Sequence, residues 1–100
     1  MERGGCVYML TNKNNTTLYT GVTSDLPSRI YEHLNQKYKH SFSAKYNLVK
    51  LVYYKFYPTI DEAIGGEKRI KAGNRQNKEK LINLFNPEWE DLYEKQVKHW

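Results

Sequence analysis

Tyr8 and Tyr19 flank an Asn-rich segment, Asn12-Lys13-Asn14-Asn15-Thr16-Thr17. If that segment closes a hairpin symmetrically about Asn14-Asn15, Leu10 faces Tyr19 and Tyr8 faces Gly21. Directly opposed residues share a face. The two tyrosines then become diagonal neighbours, with an open space beside them at Gly21. Two phenols around a gap make either a substrate site or a packed aromatic pair. A bulge in the hairpin would break this register.

Three further groups could join them. Arg29 and His33 stand at i, i+4 and share a helix face, flanked by Glu32 and Gln36. Arg offers a forked donor that matches phosphate oxygens, and His titrates near neutrality. The pair can hold a phosphate, or it can be a solvated helix face with a weak Arg29–Glu32 ion pair. Glu67 is the most suspicious acid. On a helix running from Ile60, Ile64 lies about 40° to one side and Glu67 about 20° to the other, so the carboxylate is centred on an apolar stripe. Such a group points into a cleft, binds a cation or meets a buried base, unless the helix is more exposed than its stripe implies. Gly65-Gly66 weakens that helix by about 1 kcal/mol per Gly relative to Ala. Asn86 precedes Pro87 and Glu88, which reads as a helix N-cap followed by Pro at the first helical position. A cap and an active-site amide are compatible.

The elements that position these residues follow from the pattern. Cys6–Thr11 and Leu18–Val22 read as two strands of a hairpin. Ser24-Asp25-Leu26-Pro27 starts a helix whose apolar stripe is Leu26, Ile30 and Leu34. Leu48–Tyr57 is apolar on both faces and reads as a third strand, ended by Pro58. Thr59-Ile60-Asp61-Glu62 is a capping box, and that helix should stop near Gly73. A last helix spans about Arg75 to Phe85, with Leu81, Leu84 and Phe85 inward, and a tail with Trp89, Leu92, Tyr93 and Trp100 follows. The order β-β-α-β-α-α predicts a single α+β domain over residues 1–100, with a small three-stranded antiparallel sheet flanked by helices.

Composition narrows the function classes. The 100 residues carry a net charge of +5, from 16 basic and 11 acidic side chains. The excess is uneven: Gln36 to Ile60 has five Lys and no carboxylate, and Glu67 to Lys80 has six basic residues against two acidic. With nine Tyr among 14 aromatics, this suggests a polyanion partner, the alternative being a weakly basic solvated surface. His40 lies within the first basic stretch and could approach the site. A single Cys excludes an internal disulfide and a thiolate-rich zinc site. No apolar run is long enough to span a bilayer, and no signal-peptide core is present, so the expected location is the cytoplasm.

Together these residues resemble the GIY-YIG nuclease superfamily. Cys6-Val7-Tyr8 and Tyr19-Thr20-Gly21 are similar to its two signatures, with Cys6 where the name has Gly and Thr20 where it has Ile. Gly21-Val22-Thr23-Ser24-Asp25-Leu26, Arg29, His33, Glu67 and Asn86 follow in the family's order. The likeness covers about residues 5–92, and the whole looks like the small stand-alone bacterial branch. It implies metal-dependent cleavage of DNA, duplex or branched, with one Mg²⁺ or Mn²⁺ held by Glu67. It assigns water activation to Tyr19 and support of the site to Tyr8. Arg29 would stabilise phosphate charge, His33 would fill a position that is often His, and Asn86 would help position the site. A monomer is expected, with a dimer possible. Two other readings stay open: a nucleic-acid-binding module that is catalytically weak or inactive, and a protein-interaction module using the tail aromatics.

Overall fold

The computed structural model describes residues 4–35 and 45–100. His40 and much of the first basic stretch lie outside the described residues. Three strands, β1 (Gly5–Thr11), β2 (Leu18–Thr23) and β3 (Lys50–Tyr57), form an antiparallel sheet in the order β2-β1-β3. The central strand β1 is buried along its whole length.

The hairpin closes in the expected register, with Tyr8 opposite Gly21 and Leu10 opposite Tyr19. Its turn is made by asparagines. Asn15 sits at φ 59°, a left-handed conformation that Asn tolerates, and its N–H donates to the Asn12 carbonyl at 3.0 Å. The Asn12 side chain accepts from the Thr16 and Thr17 amides at 2.8 and 3.1 Å, fixing the loop exit.

The irregularity lies on the other side of β1. Between Met9 and Leu10 the partner on β3 jumps from Tyr53 to Leu51, so Val52 is an extra residue. This bulge accounts for the two apolar faces of β3. Leu51, Tyr54 and Phe56 join Cys6, Tyr8 and Leu10 on one face of the sheet. Val52 and Tyr53 join Met9 on the other.

Helices cover both faces. Helix α1 (Leu26–Leu34) is capped by Asp25, whose carboxylate accepts from the Ser28 amide. It packs Leu26, Ile30 and His33 on the Tyr8 face. Helix α2 (Ile60–Ala72) is capped by Thr59, whose hydroxyl accepts from Glu62 N–H at 3.1 Å, and ends at Gly73. Helix α3 (Arg75–Phe85) is capped by Asn74. Both α2 and α3 serve the opposite face, where Ala63 meets Gly5 and Ile82 packs with Met9, Val52 and Tyr53. A short helix α4 (Leu92–Lys95) and a 3-10 turn (Val97–His99) then return the tail to the Tyr8 face, burying Leu92 and Val97. Among the described residues no helix is long and apolar enough to cross a membrane.

Three side-chain assignments differ from the sequence pattern. In α3 the fully buried residue is Ile82, and Leu81 packs partly buried against the same cluster, while Leu84 and Phe85 are 86% and 47% exposed. The helix touches the sheet along a narrow line, and Ile82 alone occupies it in full. In α2 the inward residues are Ala63 and Gly66, not the Ile60–Ile64–Glu67 stripe. Small side chains let the helix come close: a Cβ on Gly66 would collide with the Tyr57 hydroxyl. Asn86 is not an N-cap. It ends α3, and residues 87–89 form a turn before α4 begins at Leu92.

Candidate active site

β1 and β2 project Tyr8 and Tyr19 from the same face, and their ring centroids lie 6.3 Å apart. The space at Gly21 is not open, as the hairpin pattern alone suggests. The Tyr8 phenol lies directly over it. A Cβ on Gly21 would collide with the Tyr8 hydroxyl and stand 3.0 Å from Cε2 of Tyr19. Glycine here permits a close approach, and without it neither ring keeps its place.

Helix α1 closes over the pair. His33 is buried, not part of a solvated face, because α1 turns it toward the rings. Its ring centroid lies 5.8 Å from Tyr8 and 5.6 Å from Tyr19, edge-on to both. His33 Nε2 and the Tyr8 hydroxyl share a hydrogen bond of 3.0 Å. Burial, with the Arg29 charge adding to it, pushes the imidazole down to about 4, so His33 is neutral at physiological pH. Burial and the neighbouring Tyr19 push the Tyr8 phenol well above its ordinary range, while Arg29 beside it pulls the other way. Arg29 therefore touches the tyrosine cluster from one side. On the other it holds Glu32 at 3.3 Å, the ion pair weighed from the sequence.

The two phenols are not equivalent. Tyr8 is 1% exposed, and its hydroxyl is held by His33 with Arg29 beside it. Tyr19 is half-buried, at the rim of the cluster. A group that must exchange a proton with water or a bound ligand has to be reachable, and of the two Tyr19 is. Tyr54 stands opposite Tyr8 on β3 and adds a third tyrosine to this face, its hydroxyl donating to Gln96. Sequence periodicity does not single it out, because the bulge at Val52 breaks the alternation along β3.

Glu67 sits on α2, which packs against β1 and β2 from the sheet face opposite the tyrosine cluster, so it stands apart from the Tyr8–His33 contact rather than within it. Its side chain is 15% exposed, and the carboxylate pairs with the Lys71 ammonium at 3.2 Å. It lies at the flank of the helix's buried stripe, beside Gly66. Among the described residues no three His, Cys, Asp or Glu side chains cluster as a cage for a metal. A lone carboxylate suits a hard divalent ion that keeps most of its waters and is completed by substrate oxygens. A single carboxylate such as Glu67 is the kind of donor Mg²⁺ or Mn²⁺ takes.

Asn86 is anchored to β3, at the opposite edge of the sheet from Tyr19's strand. Its amide donates to the Val52 carbonyl at 3.1 Å and to the Glu90 carbonyl at 2.9 Å, and accepts from Glu90 N–H at 3.1 Å. Those bonds pin the 86–90 turn onto the strand.

A family model described as the GIY-YIG catalytic domain matches residues 4–81, a segment that holds the tyrosine pair, Arg29, His33 and Glu67. This chain belongs to the GIY-YIG family. Its GIY-YIG relatives are small bacterial proteins. A UPF0213 protein of Clostridium perfringens is 38% identical over 95 residues, covering 91% of this chain and 95% of its own length. A UPF0213 protein of Staphylococcus saprophyticus is 36% identical over 81 residues, covering 77% of this chain and 92% of its own. The solution NMR structure of the UPF0213 protein BH0048 from Bacillus halodurans aligns with a TM-score of 0.56 at 28% identity, over 92% of this chain and 96% of that one.

Proposed function

We propose that this GIY-YIG domain is a metal-dependent endonuclease that hydrolyses DNA phosphodiester bonds, acting in the cytoplasm as a monomer. The observation that carries the reading is the cluster of Tyr8, Tyr19, His33 and Arg29 on one sheet face, in a chain of this family.

Hydrolysis needs an activated water, charge on the phosphate oxygens and a stabilised leaving group. Tyr19, at the rim, takes the proton from water. Arg29 supplies fixed positive charge beside the tyrosine pair and at the phosphate. Tyr8 stays a neutral phenol. Neutral His33 fixes its orientation through the Nε2 bond, and the pair holds the Tyr19 ring from below. Glu67 would hold one Mg²⁺ or Mn²⁺, which supplies charge neutralisation at the phosphate and at the leaving oxygen when bound. Asn86 serves the site at a distance, by keeping the 86–90 turn on β3.

The Lys71–Glu67 ion pair favours a second reading, a nucleic-acid-binding module without turnover, since an ammonium already answers the carboxylate. A plasmid-nicking assay with Mg²⁺ and Mn²⁺, set beside a gel shift in chelator, separates the two. Nicking that needs metal and is lost in Tyr19→Phe supports the nuclease. Retardation without nicking under any divalent metal supports the binding module.

A further inference from the structure

On the sheet face opposite the tyrosine cluster, a groove of about 510 Å³ runs between β3, α2 and α3. Four of the chain's 16 cationic side chains line it: Lys55 from the strand, Arg69 from α2, and Lys78 and Lys80 from α3. Among the described residues, no carboxylate lines it. The nearby acids on these helices are answered elsewhere, Glu67 by Lys71 and Glu79 by Arg75. Two tyrosines also line it, of which Tyr53 is buried. Tyr57 is half-buried with the Lys55 ammonium 5.3 Å from its ring centroid, and Leu84 stands almost wholly exposed at the rim.

We propose that this groove binds a single nucleic-acid strand, separately from the tyrosine site. Its charge complements a polyanion, and four cations with no carboxylate among them track a backbone of phosphates. The partly exposed Tyr57 gives a base a ring to stack on. A groove of this size lies in the ~300–1,000 Å³ range of small-ligand sites, so it admits about one or two nucleotides at a time and not a double helix. None of Tyr8, Tyr19, Arg29, His33 or Glu67 lines the groove, so binding there does not require cleavage.

The test is fluorescence anisotropy of a labelled oligo-dT strand in chelator, across a salt series. The double variant Lys55→Ala/Lys80→Ala should weaken binding about tenfold and reduce the slope of log K against log salt by about 1.4, two contacts at ~0.7 each. The double variant Lys13→Ala/Lys95→Ala removes the same charge away from the groove and should change both much less. Tyr57→Leu, shown folded by circular dichroism, should weaken binding about tenfold with the salt slope unchanged, because it removes stacking and no charge. Equal losses in the two lysine doubles, or none in the groove double, would overturn the proposal. So would displacement of the strand by poly-glutamate at equal charge. Because the titration runs in chelator, failure here is distinct from a failure of cleavage.

Discussion

At the scale of single residues, exposure distinguishes the two tyrosines. Tyr8 is buried and bonded, and Tyr19 is reachable. Tyr19→Phe keeps the ring and so its packing, and should lower single-turnover cleavage by ~10²–10⁴. Tyr8→Phe should cost less in rate and ~1 kcal/mol in stability, the usual value of one buried hydrogen bond. Urea midpoints on the same samples separate the two effects. Glu67→Gln should abolish metal-dependent cleavage while DNA affinity is kept or rises slightly, because an amide is a poorer ligand for a hard cation and repels phosphate less. If the Glu67→Gln variant cuts at the parental rate, Glu67 is a structural partner of Lys71. His33 gives a pH prediction. Its folded pKa, about 4, is below the ordinary 6.5, so between those values the unfolded chain binds a proton that the folded chain does not. The native state is therefore fully favoured above pH ~6.5 and loses stability as pH falls toward ~4. His33→Gln should flatten that part of a urea-midpoint profile.

At the scale of elements, close contacts between small residues and rings set the geometry. Gly21 lies under Tyr8 and Gly66 lies against Tyr57, so β2 and α2 each reach their positions only because a side chain is missing. The contact line of α3 is equally narrow. Ile82→Ala should cost about 2–5 kcal/mol, as for other large-to-small core changes, while Leu84→Ser should fall within about 0.5 kcal/mol of the parent. Chemical denaturation of both variants checks this. A large loss from Leu84→Ser would mean that α3 turns its Leu81–Leu84–Phe85 face inward after all.

At the scale of the whole molecule, a two-faced layout emerges. One sheet face carries the tyrosines, His33 and Arg29 under α1 and the returning tail. The other carries α2, α3 and the basic groove. Charge is spread over both, so duplex DNA should bind electrostatically and with little sequence preference. Each phosphate neutralised should contribute about −0.9 to the slope of log K against log salt. Tight binding at moderate salt with a flat slope, in a titration across salt concentrations, would refute that picture.

Much of this was legible in the sequence because it is local. The Asn-rich turn fixes the hairpin register by counting, and the register alone places Tyr8 beside Tyr19. Asp25 and Thr59 each cap a helix by accepting from an amide three residues on, so their signals survive in the bare sequence. The order of strands and helices, and membership of the GIY-YIG family, rest on the same short-range patterns. What only the tertiary structure decided is non-local. The bulge at Val52 depends on β3 meeting β1, and the pairing of Tyr54 with Tyr8 places it on the tyrosine face. Periodicity on α2 and α3 marks hydrophobic residues, but depth of contact selects small ones, which is why Ala63 and Gly66 face the sheet while Glu67 sits at the flank. His33 looks like a surface residue until α1 docks and removes its water. Asn86 reads as a cap because Pro87 follows it, but its partners, Val52 on β3 and Glu90 beyond the turn, are set by where the chain folds back. A helix or a turn is specified by neighbours in sequence, whereas burial is specified by neighbours in space.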